Sequence, residues 1–104
     1  MLNRVMECLF LYGVPAIGTD GREERAFLSE IRGTFVPRSA EETEEEDLDR
    51  AVQTVYAVIP KRYAPAGGFC RGMEILAQDG GRYRVLTPVL CGGFWSLKCS
   101  RTWL

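Results

Sequence analysis

This chain of 104 residues contains no histidine, and that absence removes several classes of enzyme at once. Ser-His and Cys-His nucleophile arrangements are excluded because each needs an imidazole base. Carboxylates are also scarce outside one acidic stretch, and Asp20 and Asp79 stand beside glycines in typical turn positions. The run from Gly67 to Gly72 has neither the order of a dinucleotide loop nor the Lys-Ser/Thr of a phosphate loop. We therefore predict a protein that is not an enzyme and has no cofactor.

The four cysteines form no C-x-x-C pair, and without histidine they lack the usual spacing of a zinc site. We predict no metal and treat these cysteines as reduced, partly buried thiols, with zinc as the alternative. No apolar run approaches the roughly 18 residues that a membrane-spanning helix needs, and the N-terminus lacks the order of a signal peptide. The sequence thus predicts an intracellular protein that does not contact a membrane.

Charge is distributed unevenly along the chain. Seven of the fourteen acidic residues lie between Glu41 and Asp49. From Arg50 onward the chain contains eight basic residues and only two acidic ones, Glu74 and Asp79. A basic half of this kind suits a polyanion or an acidic partner. The simpler interpretation is that these side chains cover the outer faces of strands, since Arg82 and Arg84 alternate with Tyr83.

The stretch from Met73 to Cys99 predicts three strands and two tight turns. Apolar residues alternate with polar ones in each segment, and the segments are separated by Asp79-Gly80-Gly81 and by Gly92-Gly93. Such glycine-rich pairs suit hairpin turns, which require positive φ. The predicted inward-facing residues are Met73, Ile75 and Ala77, then Tyr83 and Val85, then Trp95, Leu97 and Cys99.

The N-terminus predicts a short amphipathic helix over residues 1–12, ended by Gly13 and Pro15. Its apolar stripe recurs at helical spacing and would dock either on its own barrel or on a neighbouring subunit. The residues of this stripe, which we predict to form an interface, are Leu2, Val5, Met6, Leu9 and Phe10.

The middle of the chain predicts two strands separated by an acidic loop. Residues 24–36 favour a strand in which Phe27, Ser29 and Ile31 share a face and Gly33 marks a bulge or bend, although helix competes over residues 22–32. Thr19-Asp20-Gly21 predicts a further turn, and residues 51–59 predict a strand rich in Val. Residues 37–50 predict a mobile loop because like charges repel and an apolar face is missing.

A small barrel with basic and aromatic residues could instead bind single-stranded nucleic acid. Tyr83, Phe94 and Trp95 lie near Arg82, Arg84 and Lys98 in the sequence. Alternation opposes this alternative, since it points Tyr83 and Trp95 away from the neighbouring charges and toward the core.

The order of these segments resembles the small head-tail connector, or head-closure and tail-completion, proteins of tailed bacteriophages and Gram-positive prophages, similar to the head-tail joining proteins of lambda-like phages. The resemblance covers most of the chain. It rests on Tyr12-Gly13-Val14-Pro15-Ala16 after a short helix, on Arg25-Ala26-Phe27-Leu28 in an early strand, and on a variable polar loop followed by a Val-rich strand. It continues with Gly80-Gly81-Arg82-Tyr83-Arg84-Val85 and Gly92-Gly93-Phe94-Trp95-Ser96-Leu97.

The resemblance implies a homo-oligomeric ring between portal and tail that contacts other phage structural proteins. A long loop that contributes to intersubunit or channel contacts is implied as well, with passive contact to DNA in a channel as a possible addition. It also implies a location in the bacterial cytoplasm during assembly and then in the virion. Glu44, Glu45 and Glu46 of the acidic loop and the terminal Trp103 join the predicted interface. Taken together, we predict one mainly β domain over residues 1–104. It is a small β-barrel or strongly bent antiparallel sheet, with a short N-terminal helix, a long acidic loop and a β-meander over residues 51–104.

Overall fold

The computed structural model describes residues 6–37 and 53–102, and these residues form eight strands. Segments rich in alternating apolar residues become the strands, because a pleated strand turns successive side chains to opposite faces. The bounds are β1 Glu7–Tyr12, β2 Ala16–Ile17, β3 Glu23–Glu24, β4 Phe27–Pro37, β5 Gln53–Pro60, β6 Glu74–Leu76, β7 Arg82–Cys91 and β8 Phe94–Thr102. One turn of 3₁₀ helix, Lys61–Tyr63, follows β5. The prediction of a mainly β chain is confirmed.

Six of the strands pair in the closed order β1-β4-β5-β8-β7-β6. All the pairs are antiparallel, and the ring closes where Phe10, Leu11 and Tyr12 of β1 pair with Leu76, Ile75 and Glu74 of β6. The two remaining strands, β2 and β3, form a small separate hairpin. Closure matters for function because a closed barrel offers few free strand edges to a partner.

The core fills the interior of this ring. Every barrel strand contributes apolar side chains at alternate positions, and Phe69 and Ala77 add to them from outside the strands. The fully or nearly fully buried apolar residues are Leu9, Leu11, Ile31, Ala57, Ile59, Phe69, Ile75, Ala77, Tyr83, Val85, Leu97 and Cys99. The predicted inward-facing sets of β6, β7 and β8 are thereby confirmed, except that Met73 and Trp95 are only partly buried. Burial of this apolar surface is the main source of stability in such a fold.

The predicted N-terminal helix is wrong over the described part of its range, since residues 7–12 form β1. Leu9 and Leu11 point into the barrel, while Phe10 and Tyr12 lie on its outer side and pair with β4 and β6. Apolar residues on both faces of a strand imitate the spacing of a helical stripe over so short a segment. Pairing with two neighbouring strands then decides for β, because an isolated helix of three turns is barely stable. Residues 1–5 lie outside the described residues.

Strand β4 contains a bulge at Leu28, and its pairing with β1 is regular at Gly33, where a bulge or bend was predicted. Its register with β1 shifts at Leu28, so Ser29 pairs with Leu11 whereas Phe27 pairs with Tyr12. The extra residue turns Phe27 outward, and the predicted common face of Phe27, Ser29 and Ile31 is therefore wrong. Gly33 is needed for close approach: a Cβ there would lie 2.7 Å from the carbonyl oxygen of Val58.

All three predicted turns form. Gly21, Gly80 and Gly92 adopt positive φ, which glycine reaches without a Cβ clash. In the turn before β7 the carboxylate of Asp79 accepts a hydrogen bond from the Gly81 N–H at 2.7 Å, which explains the Asp-Gly-Gly sequence. The predicted acidic loop lies outside the described residues apart from Pro37.

Candidate interaction surfaces

Several of the predicted interface residues lie outside the described residues: Leu2, Val5, Glu44, Glu45, Glu46 and Trp103. Of the others, Leu9 is completely buried in the core of its own barrel and offers no surface to a partner. Met6 and Phe10 are half-buried, and Phe10 lies on the outer side of β1. Of the predicted helical stripe, Phe10 therefore belongs to an aromatic surface on the outside of strands β1 and β4.

The first surface is the β1/β4 patch, which consists of Phe10, Tyr12, Phe27 and Leu28. The ring of Phe27 lies 5.7 Å from that of Tyr12 in an edge-to-face arrangement and 6.4 Å from that of Phe10. These contacts are favourable aromatic geometries and hold the three rings together outside the barrel. Phe27 nevertheless remains 56% exposed, and Leu28 is also exposed. Side-chain packing within the chain thus leaves much of this aromatic cluster in water.

The bulge at Leu28 explains why the exposed β1/β4 patch could not be predicted from the sequence. Strict alternation from Ile31 back to Phe27 places Phe27 in the core, and only the extra residue at Leu28 reverses its direction. A non-glycine bulge has no reliable signature in a single sequence, so the position of Phe27 could not be predicted from its spacing.

The second surface is the β7/β8 patch, which consists of Val89 and Phe94 on the outer face of the β7–β8 hairpin, with Leu90 on the opposite face of the hairpin tip, where it pairs with Trp95 and lines a cleft. All three are close to half exposed, and Phe94 is 45% exposed. Like the first patch, it lies just beyond a bulge, because the register of β7 with β8 shifts between Val85 and Thr87. The Gly92-Gly93 turn itself was predicted, but not the exposure of the apolar residues around it.

The outer edge of this hairpin is poorly suited to pairing with another strand. The two-residue turn makes Cys91 and Phe94 a hydrogen-bonded pair, and alternation from there aims the backbone of Pro88 at the outer edge. Proline has no N–H to donate, and proline is typical of edge strands that avoid further pairing. Contacts at the hairpin tip must therefore be made by side chains.

A cleft of about 400 Å³ lies beside the β7/β8 patch. Trp95 and Leu90 line one side, and the small residues of the loop 64–68 line the other, with Lys61 at the rim. The Trp95 ring is held by an edge-to-face contact with Phe69 at 5.4 Å and closely approaches Gly68. An aromatic floor between small residues can accept an apolar side chain or a flat ring.

A buried carboxylate links the barrel strands to the segment that precedes β4. The side chain of Glu74 is only 2% exposed and accepts hydrogen bonds from Arg25 Nε at 2.5 Å and from Arg84 Nη2 at 3.3 Å. Arg25 also pairs with Glu23 at 3.0 Å. The hydrogen bond to Glu74 raises the pKa of Arg25. Because the arginines neutralise a carboxylate that burial would otherwise disfavour, this cluster acts as a structural connection.

The sequence analysis did not detect this cluster. Arg25 and Glu74 are 49 residues apart, and no local pattern relates them. Alternation along β6 predicts that Glu74 faces outward, but Arg25 in the segment before β4 contacts its carboxylate, which is almost fully buried. The nearby clefts, one of about 510 Å³ beside Arg71 and Arg84 and one of about 140 Å³ beside Arg25 and Arg82, contain charges of both signs. Neither of them presents a set of convergent donors for one ligand.

The cysteines are all free thiols. Cys99 lies in the core, where burial raises its pKa to about 12, while Cys8 on the outer side of β1 donates a hydrogen bond to Glu30 that raises its pKa. Cys70 and Cys91 are exposed. Among residues 6–37 and 53–102, no three His, Cys, Asp or Glu side chains gather as a metal site would require.

No protein-family model matches the chain, and a search of curated proteins finds no match. None of the helices in the described part of the chain has the length and apolar character needed to cross a membrane.

Proposed function

We propose that this chain is a structural assembly protein of a tailed bacteriophage or prophage, one that joins the head, through its portal, to the tail by ring-forming protein-protein contacts. The observation that supports an assembly role is the presence of two exposed apolar patches on the outside of a closed barrel. Large apolar side chains that stay exposed after the core is filled are characteristic of contact surfaces between proteins. The resemblance of the segments from residue 12 onward supports the assignment to the head-tail joint, whereas the short helix that precedes them in that pattern is strand β1 over residues 7–12 of this chain.

The arrangement also favours side-chain contacts over strand addition. The barrel closes on itself, and Pro88 interrupts the donors of the exposed hairpin edge. A partner would therefore bury Phe27, Phe94 and their neighbours rather than extend a sheet. Aromatic residues of this kind contribute a large share of the binding energy at protein interfaces.

Deletion of the gene from its prophage, followed by induction, tests this function. We expect DNA-filled heads and separate tails to accumulate, and electron micrographs to show few joined particles. Expression of the intact chain from a plasmid should restore joining. Normal tailed particles in the deletion strain would contradict the proposal.

The second candidate is binding of single-stranded nucleic acid, which the Trp95 cleft favours. Trp95 could stack on a base, and Lys61 and Arg62 lie on the adjoining 3₁₀ turn. Tyr83 does not support this function, because it is buried in the core and contacts Phe35 at 4.4 Å. Titration with a fluorescent oligonucleotide at increasing salt tests the candidate: binding that weakens steeply with salt supports it, and no binding at low salt excludes it.

A further inference from the structure

The two apolar patches lie at the same end of the barrel. Strand β1 ends at Tyr12 and β4 begins at Phe27, while β7 ends at Cys91 and β8 begins at Phe94. Because all neighbouring barrel strands are antiparallel, these four strand ends meet at one end of the barrel. The turn at Asp79-Gly80-Gly81 lies at the opposite end.

The patches also lie on opposite sides of the barrel. In the order β1-β4-β5-β8-β7-β6, the pair β1/β4 is separated from the pair β7/β8 by β5 on one side and by β6 on the other. The rings of Phe10, Tyr12 and Phe27 thus face away from the side that carries Val89 and Phe94. Two copies could place one patch of each kind in contact and leave the other two patches free.

The surroundings of the two patches carry opposite charge. In residues 7–32, which hold the β1/β4 patch, five acidic residues outnumber three basic ones. Residues 60–70 and 86–99, which hold the β7/β8 patch and its adjoining loop, contain Lys61, Arg62 and Lys98 and no acidic residue. Arg71 belongs to neither set, because it lines a separate cleft with Glu23. Lys61 is exposed beside the hairpin tip, where its backbone N–H donates to the Gly93 carbonyl at 2.9 Å. Opposite charges around two apolar patches favour contact between unlike patches over contact between like ones.

From this placement we infer that the occupant of each patch is a second copy of this chain, bound head to tail, with the β1/β4 patch of one copy against the β7/β8 patch of the next. An interface between unlike surfaces continues from copy to copy until the rotation closes it into a ring. Because both patches lie at one end of the barrel, successive copies stay at a similar height, which favours closure. This inference rests on the ring-forming role proposed above and identifies the surfaces that would form the ring.

Two charged variants test the inference with purified protein. Phe27→Asp removes the β1/β4 patch, and Phe94→Asp removes the β7/β8 patch, whereas Gln78→Asp adds the same charge to an exposed position at the opposite end of the barrel. We expect the wild type and Gln78→Asp to self-associate in native mass spectra over a concentration series. Each patch variant should need at least a tenfold higher concentration. Phe27→Gln and Phe94→Gln repeat the test without new charge, and unchanged thermal unfolding shows that the variants are folded.

Mixing the two patch variants gives the decisive result. One copy of each retains one intact interface, so an equal mixture of isotope-labelled Phe27→Asp and unlabelled Phe94→Asp should form a mixed dimer and nothing larger. Assembly of Phe94→Asp like the wild type would instead indicate contact between like patches and overturn the inference. So would a mixture without mixed dimers, or a wild type that stays monomeric. The gene-deletion result is independent of these outcomes: unjoined heads and tails with a monomeric protein would retain the role at the head-tail joint and reject self-association through these two patches.

Discussion

The strand pairs β1/β4 and β7/β8 have much in common, but their connections and surroundings differ. Each is an antiparallel pair with one bulge, at Leu28 and at Leu86, and each exposes apolar side chains near that bulge. A two-residue glycine turn joins β7 to β8, whereas β1 and β4 are joined through the small β2–β3 hairpin. Acidic residues prevail around the first pair and basic residues around the second. The comparison shows that a bulge can expose apolar side chains whether a tight turn or a longer connection joins the two strands. The charge of the surrounding residues then distinguishes one strand pair from the other.

The largest expected effect is a loss of stability at alkaline pH caused by the buried thiol of Cys99 in β8. The thiol of Cys8 in β1 serves as the comparison. Burial raises the pKa of Cys99 to about 12 from an ordinary value of 9.0, so the folded state holds this proton while the unfolded state releases it. Stability contributed by the protonated thiol is present below pH 9 and is lost as the pH rises toward 12. Over three pH units the loss is about 4 kcal/mol. Urea unfolding at pH 8 to 11 should show about two thirds of this loss. Cys99→Ala should reduce the slope, and Tyr83, whose pKa is also raised by burial, accounts for part of the decline that remains.

Cys8→Ala provides the control for that experiment. The pKa of Cys8 is also raised, chiefly by its hydrogen bond to Glu30, but this thiol lies on the outer side of β1. We therefore expect Cys8→Ala to retain most of the alkaline decline. An equally steep decline in Cys99→Ala would contradict the role of the buried thiol.

The second effect compares the inner and outer faces of β1. Leu9 is completely buried, and Leu9→Ala should lower the free energy of unfolding by about 3 kcal/mol through lost burial and a cavity. Phe10→Ala on the outer face should cost less than about 1 kcal/mol, because Phe10 is only half-buried and packs on one side. Chemical denaturation of both variants measures the difference. Equal losses would show that the outer rings belong to the core.

The smallest of the three effects concerns the carboxylate that connects the two strand pairs. Glu74 accepts hydrogen bonds from Arg25, just before β4, and from Arg84 in β7. Glu74→Ala should lower the free energy of unfolding by about 2 kcal/mol, a moderate value because both arginines reach water and can be solvated. Glu74→Gln should lose less, and Glu24→Ala serves as an exposed control. Denaturation midpoints near the wild-type value for Glu74→Ala would exclude a stabilising connection.

Much of the β7/β8 pair could be predicted because its signals are local. Asp79-Gly80-Gly81 and Gly92-Gly93 mark the turns, and alternation of Trp95, Leu97 and Cys99 marks the inner face. The β1/β4 pair was harder to predict. Residues 7–12 are apolar on both faces, so spacing alone could not separate a strand from a helix, and the bulge at Leu28 reversed the direction expected of Phe27.

By itself the sequence determined the β character of the chain, the position of three turns and most of the core, because alternation and glycine act over a few residues. Tertiary structure alone decided that the N-terminal segment is a strand, that Glu74 meets Arg25, and that two apolar patches face opposite sides at one end of the barrel. Each of these depends on which strands become neighbours when the ring closes. That choice is made by long-range pairing and by filling a common core, and no local pattern of residues records it.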